Sequence, residues 1–336
     1  MHILFFTPYF NQPRGNATTS KRVIHYLQKQ GIQTCVFPYD EADLWHLPHT
    51  VDIVHILHAT RFAAWAREHK FTLSKPYILT MGGTDINSDL QSEVSNDVFQ
   101  LLDRADALTV FTEDALEKVK ALNQDWFTKT HVIPQAAWIS WKVKKRVDYH
   151  SPHILLPAGL RPVKDVLHAL PALDILAQEY MNPSLKYTIL GANLDQEVHK
   201  QVMMAAESRP WMDYAGVVPF EVMTQWYNDS NIVINTSITE GQSLAVMEAM
   251  AMGRPVIARR NPANESLIQH GITGWLYETP NEFVQAVHSI MKEPSLRNNV
   301  TRKAQQWIEQ YSSPKKEAEA YIRLYRKATE SVTVCR

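Results

Sequence analysis

The 336-residue sequence predicts an α/β protein built from two doubly wound domains, and three observations carry that reading. Strand-length apolar runs alternate with amphipathic helical stretches along the whole chain. The alternation halts once, between Ala136 and Pro152, and then restarts. The length suits about two domains, each able to bury its own core. Strand–helix–strand repeats imply parallel sheets covered by helices on both faces. Such sheets take ligands outside the carboxyl ends of their strands, so two of them facing one another predict a ligand cleft.

Taken in order, "HILFF" reads as the first strand, and "TTSKRVIHYLQKQG" has helical spacing at Val23, Tyr26 and Leu27. Gly31 stands where a helix ends in a residue of positive φ. The runs "TCVF", "DIVHIL", "PYILTM", "ALTVF" and "THVIP" are strand-length and rich in β-branched residues, with "SNDVFQLLDRA" and "EDALEKVKALN" as helices between them. After the pause come "HILLPAG", "KYTIL", "NIVINTS" and "RPVIAR". Towards the end an apolar stripe runs through Leu296, Val300, Trp307, Ile308 and Tyr311. Ser313 then offers a cap with Pro314 at the first helical position, and Tyr321, Ile322 and Tyr325 continue the stripe. The expected domains are 1–145 and 146–311, with 312–336 a helix packing back on the first.

Composition removes several function classes. With 34 basic and 35 acidic side chains the chain has no bulk positive charge with which to bind nucleic acid. No apolar run approaches the ~20 residues of a membrane span. The start, "MHILFFTPYF", lacks the basic lead-in of a signal peptide and reads as a buried strand. Cys35 and Cys335 make neither a disulfide framework nor a metal-ligand spacing, so a reduced, cytoplasmic protein is the simplest account. The pause itself places Trp138 and Trp141 near Lys142, Lys144, Lys145 and Arg146. Peripheral membrane contact is one use of such a patch, but the stretch has no amphipathic period and reads as an interdomain linker.

The stretch "TEGQSLAVMEAMAMGRPVIAR" sets Glu240 and Glu248 eight positions apart. Gly241 is a poor interior residue for a helix and Ser243 a good N-cap, so the helix is predicted to begin at Leu244. Glu240 then lies in the preceding loop. Glu248 lies in the second turn, and helical side chains lean back towards the N-terminus. Both carboxylates can thus reach one point beyond the amides of Gly241, Gln242, Ser243 and Leu244. Helix starts favour phosphate, whereas ionised carboxylates repel phosphate and accept strongly from hydroxyls. A phosphate flanked by polyols meets both demands, which describes a nucleotide sugar. Taken singly, Glu248 reads as an ordinary exposed helix residue and Glu240 as a partner of the helix dipole. A second anion site in "PAGLRPVKD" strengthens the pair: Arg161 and Lys164 follow the first strand of the second half, Arg suited to bidentate phosphate contact and Lys to a point charge.

With these residues in hand, the second half resembles the family-four retaining glycosyltransferases of the GT-B fold. The resemblance rests on "GLRPVK", on "YAGVVPFEVMTQWYNDSNIVINTSITEGQSLAVMEAMAMGRPVIAR" and on "NESLIQHGITGWLY". It implies that Glu248 holds the nucleotide ribose and Glu240 the donor sugar. It further implies that the Gly241–Leu244 backbone, Arg161 and Lys164 take the diphosphate, while Val217 and Val218 line the base pocket. More loosely, "PYFNQPRGNATTSKR" corresponds to the family's glycine-bearing loop, which makes Gly15 and Asn16 donor-side candidates. "DIVHIL" looks like the strand that carries His55, a core or hinge residue. Where many relatives carry a functional histidine, this chain has "GGTDIN". That wording resembles the "glycosyltransferase 1 domain-containing" branch and, more distantly, selenosugar synthases. No histidine is therefore transferred. Asp85 takes its place as partner to the donor sugar or acceptor, with turn capping as the alternative role.

The resemblance implies transfer from a nucleoside diphosphate sugar, UDP by default, to an acceptor the sequence does not identify, with retention of anomeric configuration. No cofactor is implied, and no Asp-x-Asp motif stands where it would recruit a metal ion. A nucleotide-sugar epimerase of the same architecture, or a non-catalytic sugar-nucleotide binding protein, would share these features. A dinucleotide-dependent dehydrogenase fits poorly, because no G-x-G-x-x-G follows either leading strand. Oligomeric state is left open.

Overall fold

The computed structural model describes residues 1–12, 14–48, 50–92, 94–138, 149–180 and 185–334. The basic part of the pause, with the expected boundary inside it, lies outside these residues, as does Cys335. Two compact units result, one of residues 1–136 with 312–336 and one of residues 137–311.

In the first unit the strands are β1 (His2–Thr7), β2 (Gln33–Pro38), β3 (Ile53–Leu57), β4 (Tyr77–Thr80), β5 (Ala107–Val110) and β6 (Thr130–Val132). They form one parallel sheet in the order β2-β1-β3-β4-β5-β6. Around it lie α1 (Gly15–Lys29), α2 (Ala59–Glu68), α3 (Gly83–Asn87), α4 (Asn96–Arg104), α5 (Glu113–Leu122) and α6 (Gln124–Thr128). All five residues of β3 are buried, as expected of a central strand covered on both faces. Gly31 ends α1 with φ +77°, a conformation that costs a glycine little.

The second unit contains β7 (His153–Pro157), β8 (Lys186–Leu190), β9 (Met212–Gly216), β10 (Ile232–Asn235), β11 (Val256–Arg259) and β12 (Trp275–Tyr277). Its parallel sheet runs β12-β11-β10-β7-β8-β9. The helices are α7 (Leu170–Glu179), α8 (Gln196–Glu207), α9 (Met223–Asp229), α10 (Leu244–Ala251), α11 (Pro262–Glu265), α12 (Pro280–Lys292) and α13 (Pro294–Tyr311). Strand order reverses between β7 and β10, so the loops leaving those two strands flank a topological switch point. Ile154, Ile232, Ile234 and Ile257 pack on one face of this sheet, and Leu155, Val233, Val256 and Ala258 on the other.

The last helix, α14 (Pro314–Val334), belongs to the first unit. Its Ala318, Tyr321, Ile322 and Tyr325 join Ile3, Val23, Leu27 and Ile53 in one apolar cluster. Polar ties add specificity. Arg22 of α1 donates from Nε and Nη2 to Glu317, both at 2.8 Å, with both side chains almost wholly buried. The ring of His55 lies 2.7 Å from the Tyr325 hydroxyl through Nδ1 and 2.7 Å from Thr80 Oγ1 through Nε2. Burial holds the His55 imidazole down at about 3, so it stays neutral. Among the described residues, no helix is long and apolar enough to cross a membrane.

Candidate functional site

Helix α10 begins at Leu244, and Ser243 caps it by accepting from the Val246 amide at 3.4 Å. Glu240 is therefore in the loop and Glu248 in the helix, as the local chemistry of Gly241 and Ser243 predicts. Gln242, Ser243 and Glu248 are buried, and Gly253 ends the helix with φ +64°.

The two loops of the switch point are stitched together. The Ile238 amide donates to the Val163 carbonyl at 2.9 Å, and Thr236 Oγ1 donates to the Lys164 carbonyl at 2.8 Å. Arg161 begins a short 3-10 turn over Pro162–Lys164, after which Asp165 takes φ +41°. Arg259, at the end of β11, holds Asp165 at 2.7 Å. This packing puts Lys164 Nζ 2.5 Å from Glu240 Oε1. The same oxygen accepts from Ser237 Oγ at 2.8 Å and Asn235 Nδ2 at 3.2 Å. Burial alone would raise the Glu240 pKa, but the Lys164 charge and these three donors hold it below the usual carboxylate range.

Glu248 has a different partner: its Oε2 accepts from the Tyr227 hydroxyl at 2.8 Å. Tyr227 is wholly buried, and burial together with the Glu248 charge pushes its phenol well above its ordinary pKa. The site thus contains one carboxylate neutralised by an ammonium and one braced by a phenol.

The remaining candidates separate. Val217 is 51% exposed, whereas Val218 is half-buried against the core that also contains Val246 and Met247. Gly15 and Asn16 are not in the loop after β1. They are the first two residues of α1, whose Arg14 N-cap makes no side-chain cap bond and so gives no sequence signal for the start. Asp85 is wholly buried at the third position of α3, where Oδ2 accepts from the Gly82 amide at 2.9 Å. Its Oδ1 lies 2.8 Å from His58 Nδ1 and 3.2 Å from the Thr60 amide. Burial acts to raise Asp85, yet His58 and the two amides hold it below the usual range. Of these bonds, the one from the Gly82 amide caps α3, and those to His58 and Thr60 reach outside that helix.

Sequence reasoning missed several of these partners. His58, at φ +76°, also accepts from Arg61 Nε at 3.1 Å. One ligand atom each from His58, Asp85 and Asp89 lies within 4.8 Å of the others, a grouping able to hold a metal ion, although the Thr60 hydroxyl already lies 2.5 Å from Asp89 Oδ2 and 3.2 Å from Asp85 Oδ1. Tyr9, Tyr39, Asp40, Arg61, Trp65 and His69 are among the residues lining a cavity of about 600 Å³ in the first unit. In the second unit the missed residues are Tyr227, Asn235, Asn261 and Asn264. The three asparagines are signalled only by the density of asparagine around β10 and β11, and nothing in the sequence pattern singles out Tyr227.

Residues 151–293 match the family described as "Glycosyl transferases group 1". The chain is 28% identical over 330 residues to "Glycosyltransferase 1 domain-containing protein 1" of Xenopus tropicalis, covering 91% of this chain and 92% of that one. Among solved structures it is similar to sucrose-phosphate synthase from Thermosynechococcus elongatus, with TM-score 0.76, 14% identity and coverage of 98% and 100%. It is also similar to Anabaena HepE in complex with UDP and glucose, with TM-score 0.73, 16% identity and coverage of 97% and 100%. The fold is thus of the GT-B class.

Proposed function

Starting from a chain that carries a glycosyltransferase group 1 domain over residues 151–293, we propose that it transfers a sugar from a nucleoside diphosphate sugar to an acceptor with retention of anomeric configuration. The observation that carries this reading is the β10–α10 corner. There a Ser243-capped helix start lies between Glu240 and Glu248, with Lys164 brought onto Glu240 by the neighbouring loop.

In this reading the diphosphate lies on the backbone of Gly241 to Leu244, where the helix start favours an anion. Arg161 and Lys164 stabilise the charge that develops on the leaving diphosphate, an electrostatic contribution that pre-set groups make without reorganisation. Glu248 accepts from the ribose hydroxyls and Glu240 from the donor sugar. Between turnovers, Lys164 neutralises Glu240. Val217 faces the base. UDP is the default nucleotide, in keeping with the UDP held by the HepE structure. The transferred group is a hexosyl or N-acetylhexosaminyl sugar.

The test is product analysis with a UDP-sugar in the presence and absence of acceptor candidates and of chelator. Transfer undiminished by chelator agrees with chemistry that needs no divalent ion. Epimerised donor without acceptor would identify an epimerase, and bound nucleotide without turnover a sensor.

A further inference from the structure

A chain of buried amides runs behind the corner. Asn264 is wholly buried, and its Nδ2 donates to Asn235 Oδ1 at 2.9 Å and to the Arg259 carbonyl at 2.8 Å. Asn235, also buried, accepts the Ser237 amide on the same oxygen at 3.2 Å. Its own Nδ2 forks, donating to Glu240 Oε1 at 3.2 Å and to Ser243 Oγ at 3.2 Å. Asn261 caps α11 by accepting the Asn264 amide at 2.9 Å, and its Nδ2 donates to the Ser237 carbonyl at 2.9 Å. Glu240 and the cap of α10 are therefore held by one amide, and that amide is held by another from the far side of β11.

We propose that Asn235 and Asn264 are positioning residues that set the sugar-side carboxylate Glu240 and the diphosphate-side helix cap Ser243 in a fixed mutual register. This inference rests on the donor-site reading above. An amide suits the role because it carries a donor pair and an acceptor on one planar group. Asn235 uses both ends at once, so its plane cannot turn without releasing either Glu240 and Ser243 or Ser237 and Asn264. A carboxylate at position 235 would have no hydrogen to give Glu240. A hydroxyl has a single donor and could serve one branch of the fork but not both. Asn264 Oδ1 has no hydrogen-bond partner among the described residues, whereas Asn235 is paired at both ends, and breaking a buried bond of this kind leaves its partner unsatisfied.

A purely structural role would lower stability without changing how the site reads its ligand, and Asn231 provides the comparison. It is buried in the same unit, where its side chain accepts the His153 amide at 2.8 Å and donates to the Ser151 carbonyl at 2.7 Å, away from the corner. The experiment uses the full chain, with UDP and UDP-glucose as calorimetric probes and GDP and ADP nucleotides as alternates. Asn264→Ala should weaken nucleotide-sugar binding at least tenfold, whereas Asn231→Ala, with a comparable fall in melting temperature, should stay within twofold of wild type. Asn235→Asp should move the acid limb of nucleotide-sugar affinity to higher pH, since the new carboxylate faces Glu240 and disfavours its charged form. If Asn264→Ala fails to fold, the near-isosteric Asn235→Asp carries the test alone. Wild-type affinity in Asn264→Ala, or an unmoved acid limb in Asn235→Asp, would overturn the proposal. A wild-type chain that binds none of the nucleotides would instead overturn the donor-site reading.

Discussion

Truncating Glu248 should weaken two things at once, and the structure separates them. Glu248 is 8% exposed and Tyr227, whose hydroxyl it accepts at 2.8 Å, is wholly buried. In Glu248→Ala that hydroxyl loses its charged acceptor in a dry site, which costs about 1–3 kcal/mol of stability. For a unit of this size each kcal/mol corresponds to roughly 2–4 °C of melting temperature. The proposed ribose contact adds a second loss, about 1.5–3 kcal/mol of nucleotide affinity for hydrogen bonds to a charged group, or roughly 10- to 150-fold in Kd. Tyr227→Phe removes the brace and keeps the carboxylate, so it should lower the melting temperature while changing UDP affinity much less. Calorimetric titration of UDP into both variants, paired with thermal unfolding, reads the two effects separately. UDP contains the ribose but no transferred sugar, so the assay is blind to Glu240. If Glu248→Ala melts early and still binds UDP like wild type, Glu248 is only a brace for Tyr227 and the ribose assignment is wrong.

Two further outcomes follow from the charges. Lys164→Ala should lower turnover more than it lowers nucleotide affinity, because its charge acts most on the departing diphosphate; equal losses in steady-state kinetics and in binding would contradict this. The neutral, buried His55 should make the first unit acid-sensitive. Its pKa falls to about 3 on folding, so its contribution is intact above about 6.5 and is lost as pH falls towards 3. That amounts to about 2 kcal/mol by pH 5. Denaturant melts at pH 7.5 and pH 5 should therefore differ less in His55→Gln than in wild type, and an equal difference would exclude the imidazole as the cause.

What the sequence made legible was local. The start of α10 could be read because Gly241 and Ser243 state it within three residues, and the start of α14 because Ser313 and Pro314 do so as well. Strands β9 and β12 escaped notice, being three to five residues long without an alternating face. The start of α1 was misplaced because Arg14 makes no cap bond that a sequence pattern would announce. At the site, both glutamates and Lys164 stood out by residue type and loop position. Their partners did not, since Tyr227 reaches Glu248 across 21 positions and Asn264 reaches Asn235 across 29. Such contacts are set by which strands neighbour one another, and the β7–β10 reversal is a property of the sheet that no single segment encodes. His58 and Asp85 make the same point in the first unit, 27 residues apart in sequence and 2.8 Å apart in the fold.

The most direct measurement is thermal unfolding of the full chain against rising concentrations of UDP, GDP and ADP. Binding at the β10–α10 corner predicts that one of them raises the melting temperature progressively with concentration, as mass action requires, and that the rise shrinks in Glu248→Ala. A melting temperature indifferent to all three at millimolar concentration would contradict the account.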